Sequence, residues 1–387
     1  MSRNLRGSLL IAALLLGPAA RAFANSGEYS FQFLSLAGSA RQAAMGNTGL
    51  AYYDEAGLVQ FNPAALSDLK TQQLYFSYHR LFSDIGYSDA AYARPTNRWG
   101  NLGGSFRFLD YGHINRSDAV GTQSGNVSAS SRMLQLSWAG RGEGLAPGIN
   151  LKFAQEKLDD VTATAYALDA GVIYHPPTDH AQSHWIGRQL SRLTFGAALR
   201  NAGPDVRFIN ESHKLPLIYG MGLAHHSMAD ALTLALDLEH AAGRPEAVTL
   251  KAGGEIWMQD AIAARIGYRT DQDIGPGISL GLGLKVHDLR IDYSFTPFSQ
   301  LGDAHRFSLA FRFGRNLVNR YYEQALHEMR LGNHAAAVLL FDKALIIEPK
   351  NQALMEKALE AARALEDSRR NSLESLPSLQ QEPEKGQ

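Results

Sequence analysis

From Leu289 to Phe313 the chain writes one pattern twice. Leu289, Ile291, Tyr293 and Phe295 interleave with Arg290, Asp292 and Ser294, and Phe307, Leu309, Phe311 and Phe313 interleave with Arg306, Ser308, Ala310 and Arg312. Side chains on a strand point alternately to opposite faces, so each run is a strand with one apolar and one polar face. The same alternation recurs upstream, at Leu74, Phe76 and Tyr78, at Leu151 and Phe153, at Leu217 to Leu223, at Leu232 to Leu238 and at Ile278 to Leu284. The pattern predicts roughly fourteen strands between Gln72 and Phe313. The opposite face carries Arg107, Lys152, Asp169, Arg200, Asp237, Glu239, Lys251, Glu255, Arg265, Lys285, Arg290, Asp292 and Arg312. Charges of both signs there are expected to pair across a narrow lumen.

A soluble sandwich needs a second layer to cover so many apolar faces, and no helical pattern supplies one before residue 315. A barrel that turns its apolar face to lipid needs none. Connection lengths agree. If the first strand runs outward from the periplasm, the long connections (Asp110 to Ala129, Asn201 to Leu215, Thr296 to Ala304) fall outside. The short ones (Ser227 to Asp230, Gln259-Asp260, His287-Asp288) fall inside, as in outer-membrane barrels. One inside connection, His175 to Arg192, breaks the rule. The expected fold is an all-β, about fourteen-stranded antiparallel transmembrane β-barrel.

The period differs at both ends. Residues 25–69 do not alternate and read as a lumen-filling hatch with a short helix around Arg41 to Leu50. After the barrel (residues 70–314) the period becomes 3.6 and predicts helices over Tyr321 to Arg330, Asn333 to Ile347 and Gln352 to Glu366. Tyr322, Ala325, Gly332, Ala337, Phe341, Ala344 and Pro349 follow the spacing of a tetratricopeptide repeat within a small α-helical segment, residues 315–368. One such repeat cannot bury its own face, so these residues are expected to serve a periplasmic or secretion-machinery partner. Residues 369–387, rich in Pro, Gln and Glu, read as a disordered tail.

Composition narrows the compartment. Arg3 and Arg6, the apolar run Leu9 to Leu16 and Ala22-Phe23-Ala24 read as a secretory signal peptide over residues 1–24. The chain has 0 cysteines and a net charge of −1, which leaves no thiol chemistry, no disulfide and no basic field for nucleic acid. Mean hydropathy is −0.21, too polar for a helical membrane protein but compatible with a barrel whose lumen offsets its lipid face.

Two stretches resemble the PorV/PorQ family of outer-membrane proteins, relatives of the FadL-type channels for hydrophobic compounds. The first is Ser39-Ala40-Arg41-Gln42-Ala43-Ala44-Met45-Gly46, then Ala51, Asp54 and Asn62-Pro63-Ala64-Ala65-Leu66. The second runs through Arg265-Ile266-Gly267-Tyr268, Gly281-Leu282-Gly283-Leu284, Ile291-Asp292-Tyr293-Ser294-Phe295 and Gly302-Asp303-Ala304-His305-Arg306. The resemblance covers about residues 30–314. It implies a fourteen-stranded barrel with an N-terminal hatch, often a lateral opening, and roles divided between passage of apolar molecules and type IX secretion. In the hatch motif (Arg41, Met45, Gly46, Asn62, Pro63, Ala64), Pro63 pushes Asn62 to an extended conformation and Asn62 can hold a turn. Arg41 is expected to pair with one of Asp237, Glu239, Glu255 or Asp292.

Catalytic chemistry is not legible. There is no His-Glu-x-x-His, Walker loop or nucleophile elbow, and Gly142-Glu143-Gly144 lacks the context of a dinucleotide site. His175, Asp179, His180 and His184 share a loop, yet their spacing does not specify a metal site, and adjacent strand residues His225 and His226 make a poor chelate. No cofactor or metal is expected. Two functions remain open. One is an outer-membrane barrel that passes or holds an apolar small molecule, with termini in the periplasm and lipid as its surround. It predicts an apolar pocket inside the barrel, lined from hatch and wall, and a lumen filled solidly by paired charges excludes it. The other is a non-transporting adaptor of a secretion or envelope assembly.

Overall fold

The computed structural model describes residues 30–374, apart from residues 54, 82–83, 97–98, 113, 118–122, 141, 143, 177–191, 209–210, 228–230, 243–247, 273, 315–316 and 350. The signal peptide, Asp54, the loop residues Asp179, His180 and His184, and residues 375–387 therefore lie outside the described residues. The chain divides into two units after Phe313.

The first unit is a closed antiparallel β-barrel of fourteen strands, completed where β1 pairs with both β2 and β18. A hatch containing the five-residue helix α1 (Ala40–Ala44) precedes it. The strands are β1 (Gln72–Arg80), β2 (Gly86–Pro95), β3 (Asn101–Asp110), β4 (Ile114–Ser117), β5 (Gln123–Val127), β6 (Ala129–Ala139), β7 (Leu145–Leu158), β8 (Val161–Tyr174), β9 (Leu193–Ala202), β10 (Val206–Phe208), β11 (Glu211–His213), β12 (Ile218–Ser227), β13 (Leu232–Ala241), β14 (Val248–Met258), β15 (Ile262–Arg269), β16 (Ile278–Val286), β17 (Leu289–Pro297) and β18 (Asp303–Phe313). β4–β5 and β10–β11 are separate two-stranded ribbons inside two of the long connections. Both ribbons lie at one end of the barrel, the ribbon end; β1 leaves from and β18 returns to the other, the terminal end.

Alternation runs along most strands of the barrel. In β6, for example, buried and exposed positions alternate from Ala129 to Ala139. Phe76, Leu136, Met221, Ile266, Leu282 and Phe307 all point outward and are half or more exposed. Each such side chain left in water forgoes roughly 1.5–3 kcal/mol of burial, repeated around the circumference. Hydrocarbon is the solvent that removes this cost, so the wall is built to span a membrane.

The second unit consists of α2 (Leu317–Arg330), α3 (His334–Ile347) and α4 (Gln352–Glu374). Gly332 at φ 80° ends α2, as a left-handed C-terminal residue does. Two expectations need correction here. α4 runs past Glu366 and takes up residues 369–374 of the expected disordered tail, where good helix formers include the Asp367–Arg370 pair one turn apart. Ala325, Ala337, Phe341 and Ala344 are fully buried against Leu354 and Ala361, so they form this unit's own core and offer no surface to a partner. Tyr322 stacks edge-on against Phe341 at 5.8 Å.

Candidate functional site: the hatch and the barrel lumen

The described part of residues 31–69 lies against the inner wall as short helical turns and irregular backbone. The helix expected to reach Leu50 stops at Ala44, because Gly46 and Asn47 both take positive φ. What holds this irregular backbone is a set of wall side chains that satisfy its polar groups. Asp237 accepts the N–H groups of Gly49 at 2.7 Å and Leu50 at 3.0 Å. Gln73 accepts from Ala56 at 3.0 Å, while Asn150 donates to the Val59 carbonyl at 2.7 Å. Asn101 donates to the carbonyls of Leu66 and Ser67, and the Tyr75 hydroxyl to that of Gly38 at 2.9 Å. Buried backbone groups demand such partners. Sequence reading missed Gln73, Asn101 and Asn150, since each looks like any other inward polar residue.

The hatch motif falls at two contact points. Asn62 sits extended at the start of a 3₁₀ turn (Pro63–Leu66), accepts from the Ala64 N–H at 3.0 Å, and donates to the carbonyls of Leu50 at 2.7 Å and Val172 of β8 at 3.1 Å. One amide thus caps a turn, ties two parts of the hatch and grips the wall. Ala64 is wholly buried. A Cβ on Gly171 would sit 2.1 Å from the Asn62 Oδ1 atom, which explains the glycine there. At the other point Met45 is fully buried and Gly46 lies against β14 and β15, where a Cβ on Gly267 would lie 1.9 Å from the Gly46 nitrogen.

Arg41 completes the anchoring. It reaches Glu255 through Nη2 at 2.5 Å and Nε at 2.8 Å, and Glu55 through Nη1 at 2.9 Å. Glu255 was among the expected partners; Glu55, from the hatch itself, was not. The contacts close into a ring. Glu255 also takes Arg265 at 2.6 Å, Arg265 takes Asp292 at 2.8 Å, Asp292 takes Arg290 at 2.9 Å, and Arg290 returns to Glu55 at 2.6 Å. Three arginines and three carboxylates alternate, so no charge is left uncompensated. Burial by itself would raise the Glu55 carboxyl, but the guanidiniums of Arg290 and Arg41 outweigh it and hold that group at about 2.

The remaining lumen charges pair sideways along the wall instead of across an open lumen, because the hatch occupies the middle. Lys251 and Arg200 share Glu239, at 2.5 and 2.7 Å, and Lys152 meets Asp169 at 2.7 Å. Arg107 of β3 faces Asp89 of β2 at 3.5 Å. Lys285 pairs with Asp260 at 2.7 Å at the terminal end. There Lys285, Arg312, Arg41 and Glu55 line a charged cavity of about 260 Å³. The ribbon half of the lumen differs. Phe31, Phe33 and Leu34 of the hatch pack on the inward Tyr87, Leu109, Met133, Ala163 and Ala165, with Val206 and Leu215 from the ribbon connection. The lumen is therefore part ionic and part apolar.

Among the described residues of the wall, pairing is irregular between β8 and β9. Leu168 pairs with Ala202 but Ala170 with Leu199, and Asn201 takes φ 61°. This bulge leaves the Asn201 N–H to the Asp169 carboxylate at 2.7 Å. Beside it, on the outer face, Ala170 and Ala197 floor an apolar trough of about 720 Å³ rimmed by Ile149, Leu199, Tyr219 and Met221. His175 lies 3.3 Å from Asp68, and among the described residues no three His, Asp or Glu side chains converge as metal ligands.

No family model matches this sequence, and no curated protein matches it by sequence. Solved structures do. The Pseudomonas putida toluene transporter TodX aligns with a TM-score of 0.50 and 11% identity over 76% of this chain and 98% of its own. The CymD monoaromatic hydrocarbon channel aligns with a TM-score of 0.52 and 11% identity over 71% of this chain and 97% of its own. At that identity the likeness establishes the fold alone, and it agrees with the closed fourteen-stranded barrel described above.

Proposed function

We propose that this protein is an outer-membrane barrel that passes or holds an apolar small molecule. The observation that carries the reading is the division of the lumen. A lumen serving only as an anchor has no use for a plug of phenylalanines at one mouth, whereas an apolar molecule can take the place of the Phe31 and Phe33 side chains while the Phe31 N–H keeps its bond to Glu156 at 3.1 Å. The β8–β9 bulge and the trough of small residues beside it support a sideways exit into lipid. The barrels it resembles are described as a toluene transporter and a monoaromatic hydrocarbon channel, and toluene is the first ligand to try. Vesicles carrying the full chain should take up labelled toluene faster than empty vesicles while excluding a sugar. Equal toluene uptake with and without the protein rejects the reading.

A second role, as an adaptor of the PorV/PorQ type, draws on the helical unit. Leu331, Leu339, Ile346 and Leu359 are all more than half exposed there. On that reading, removing residues 315–387 abolishes capture of a periplasmic partner and leaves the barrel folded. A truncated chain that still recovers every partner excludes it.

A further inference from the structure

Buried cations in this lumen follow a rule. Arg41, Lys152, Arg200, Lys251, Arg265 and Arg290 each have a carboxylate oxygen within 2.9 Å, and Arg107 has one at 3.5 Å. Arg306, on the inward face of β18 in the ribbon half, breaks it. Its side chain is nine-tenths buried, its Nη1 donates to Thr296 Oγ1 at 2.8 Å, and no carboxylate lies within ion-pair distance of it among the described residues. A guanidinium cannot shed its proton, so burial without a counter-charge costs several kcal/mol that nothing in the chain returns.

The surroundings add a second observation. Ser294 lies directly opposite Arg306 in the β17–β18 register, is fully buried, and its hydroxyl has no hydrogen-bond partner. On the other side the cross-strand neighbour of Arg306 is His79, whose ring is held by Ser77 at 2.6 Å. Next in that row stands Tyr87, ring centroid 4.9 Å from His79, with its buried hydroxyl also unpartnered. Native interiors rarely leave such donors idle. A cation without a counter-ion beside donors without acceptors describes one missing species, a small anion.

We infer that Arg306, with Ser294 and the neighbouring His79, forms an anion site inside the barrel, taking either a free small anion or the anionic group of an otherwise apolar molecule. The site requires only the barrel interior and does not depend on the transport reading.

The test is thermal unfolding of the full chain in detergent, followed by heat-modifiable migration, at constant ionic strength. A bulky sulfonate buffer salt is exchanged stepwise for chloride or for benzoate, and toluene is added in a separate series. The wild-type midpoint should rise saturably, by roughly 2–4 °C, with at least one of the two anions. A response to chloride identifies a free anion; a response to benzoate alone identifies an anion carried on an apolar body. Arg306→Gln should lose the response. Ser294→Asp, which supplies an internal carboxylate opposite Arg306, should also lose it and melt above wild type in sulfonate. A wild-type midpoint indifferent to both anions overturns the site, as does an undiminished response in Arg306→Gln. A toluene response of equal size in wild type and both variants, alongside an absent anion response, sinks the anion site and leaves the transport reading standing.

Discussion

The hatch meets the barrel in two chemically different ways. Toward the terminal end it is tied by the six-membered ring of Arg41, Glu255, Arg265, Asp292, Arg290 and Glu55, where every member has two partners. Toward the ribbon end it is held by Phe31, Phe33 and Leu34 against a largely apolar wall. A closed ring of charges is directional and intolerant, since removing one member leaves its two neighbours with one partner each and the buried cluster with an unbalanced charge. An apolar contact is non-directional and can be exchanged for any molecule of similar surface. One end of the hatch is thus built to stay and the other is suited to yield.

The largest expected effect comes from breaking the ring. Glu255→Gln leaves Arg41 and Arg265 without their shared carboxylate and should cost about 3–5 kcal/mol. It should appear as a large fall in the temperature at which the unboiled band changes mobility. Next is Gly267→Ala, whose new Cβ would collide with the Gly46 nitrogen. Overpacking of this kind costs about 1–3 kcal/mol. Gly254→Ala on β14, where a Cβ meets nothing closer than 3.6 Å, is the matched control and should be neutral. If both variants melt alike, the close approach of hatch and wall carries no weight.

Acid sharpens the contrast further. The Glu55 carboxyl titrates at about 2 in the folded protein against 4.5 ordinarily. A depressed folded value stabilises above the unfolded one, so this contribution is complete above about 4.5 and is lost as pH falls from there toward 2. Unfolding midpoints measured across pH 6 to 2 should decline less steeply in Glu55→Gln than in wild type; identical slopes would remove Glu55 from the ring's energetics. The smallest effect on stability is expected at the other end. Replacing Phe31 and Phe33 together by alanine should loosen the plug while leaving the unfolding midpoint of the barrel nearly unchanged, because strand pairing is untouched and the loss falls on local opening of the hatch. Toluene uptake into vesicles should nevertheless increase, and an unchanged rate would show that the phenylalanines do not gate it.

Much of this was legible in the chain. Side-chain period two reports which face a residue occupies, so the strands, their inward charges and the fourteen-strand total followed from residues such as Leu289 to Phe295. The hatch motif could be located but its geometry could not. Asn62 was readable as a turn-holder, yet its reach to Val172 joins positions 110 residues apart. The two ribbons escaped notice because strands of three to five residues, such as Val206–Phe208, are too short to establish a period. Arg306 looked like every other inward charge. Its isolation depends on which strands are neighbours and on where carboxylates fall in their registers.

The sequence by itself determined the kind of wall this chain makes, because alternation of apolar and polar residues is a local property that any strand must obey. Only the tertiary structure decided which charges close into a ring, which glycines admit the hatch, and which buried arginine is left without a carboxylate. Those outcomes rest on distances of 2.5 to 3.5 Å between residues far apart in the chain, and they are fixed by barrel closure and strand register rather than by local pattern.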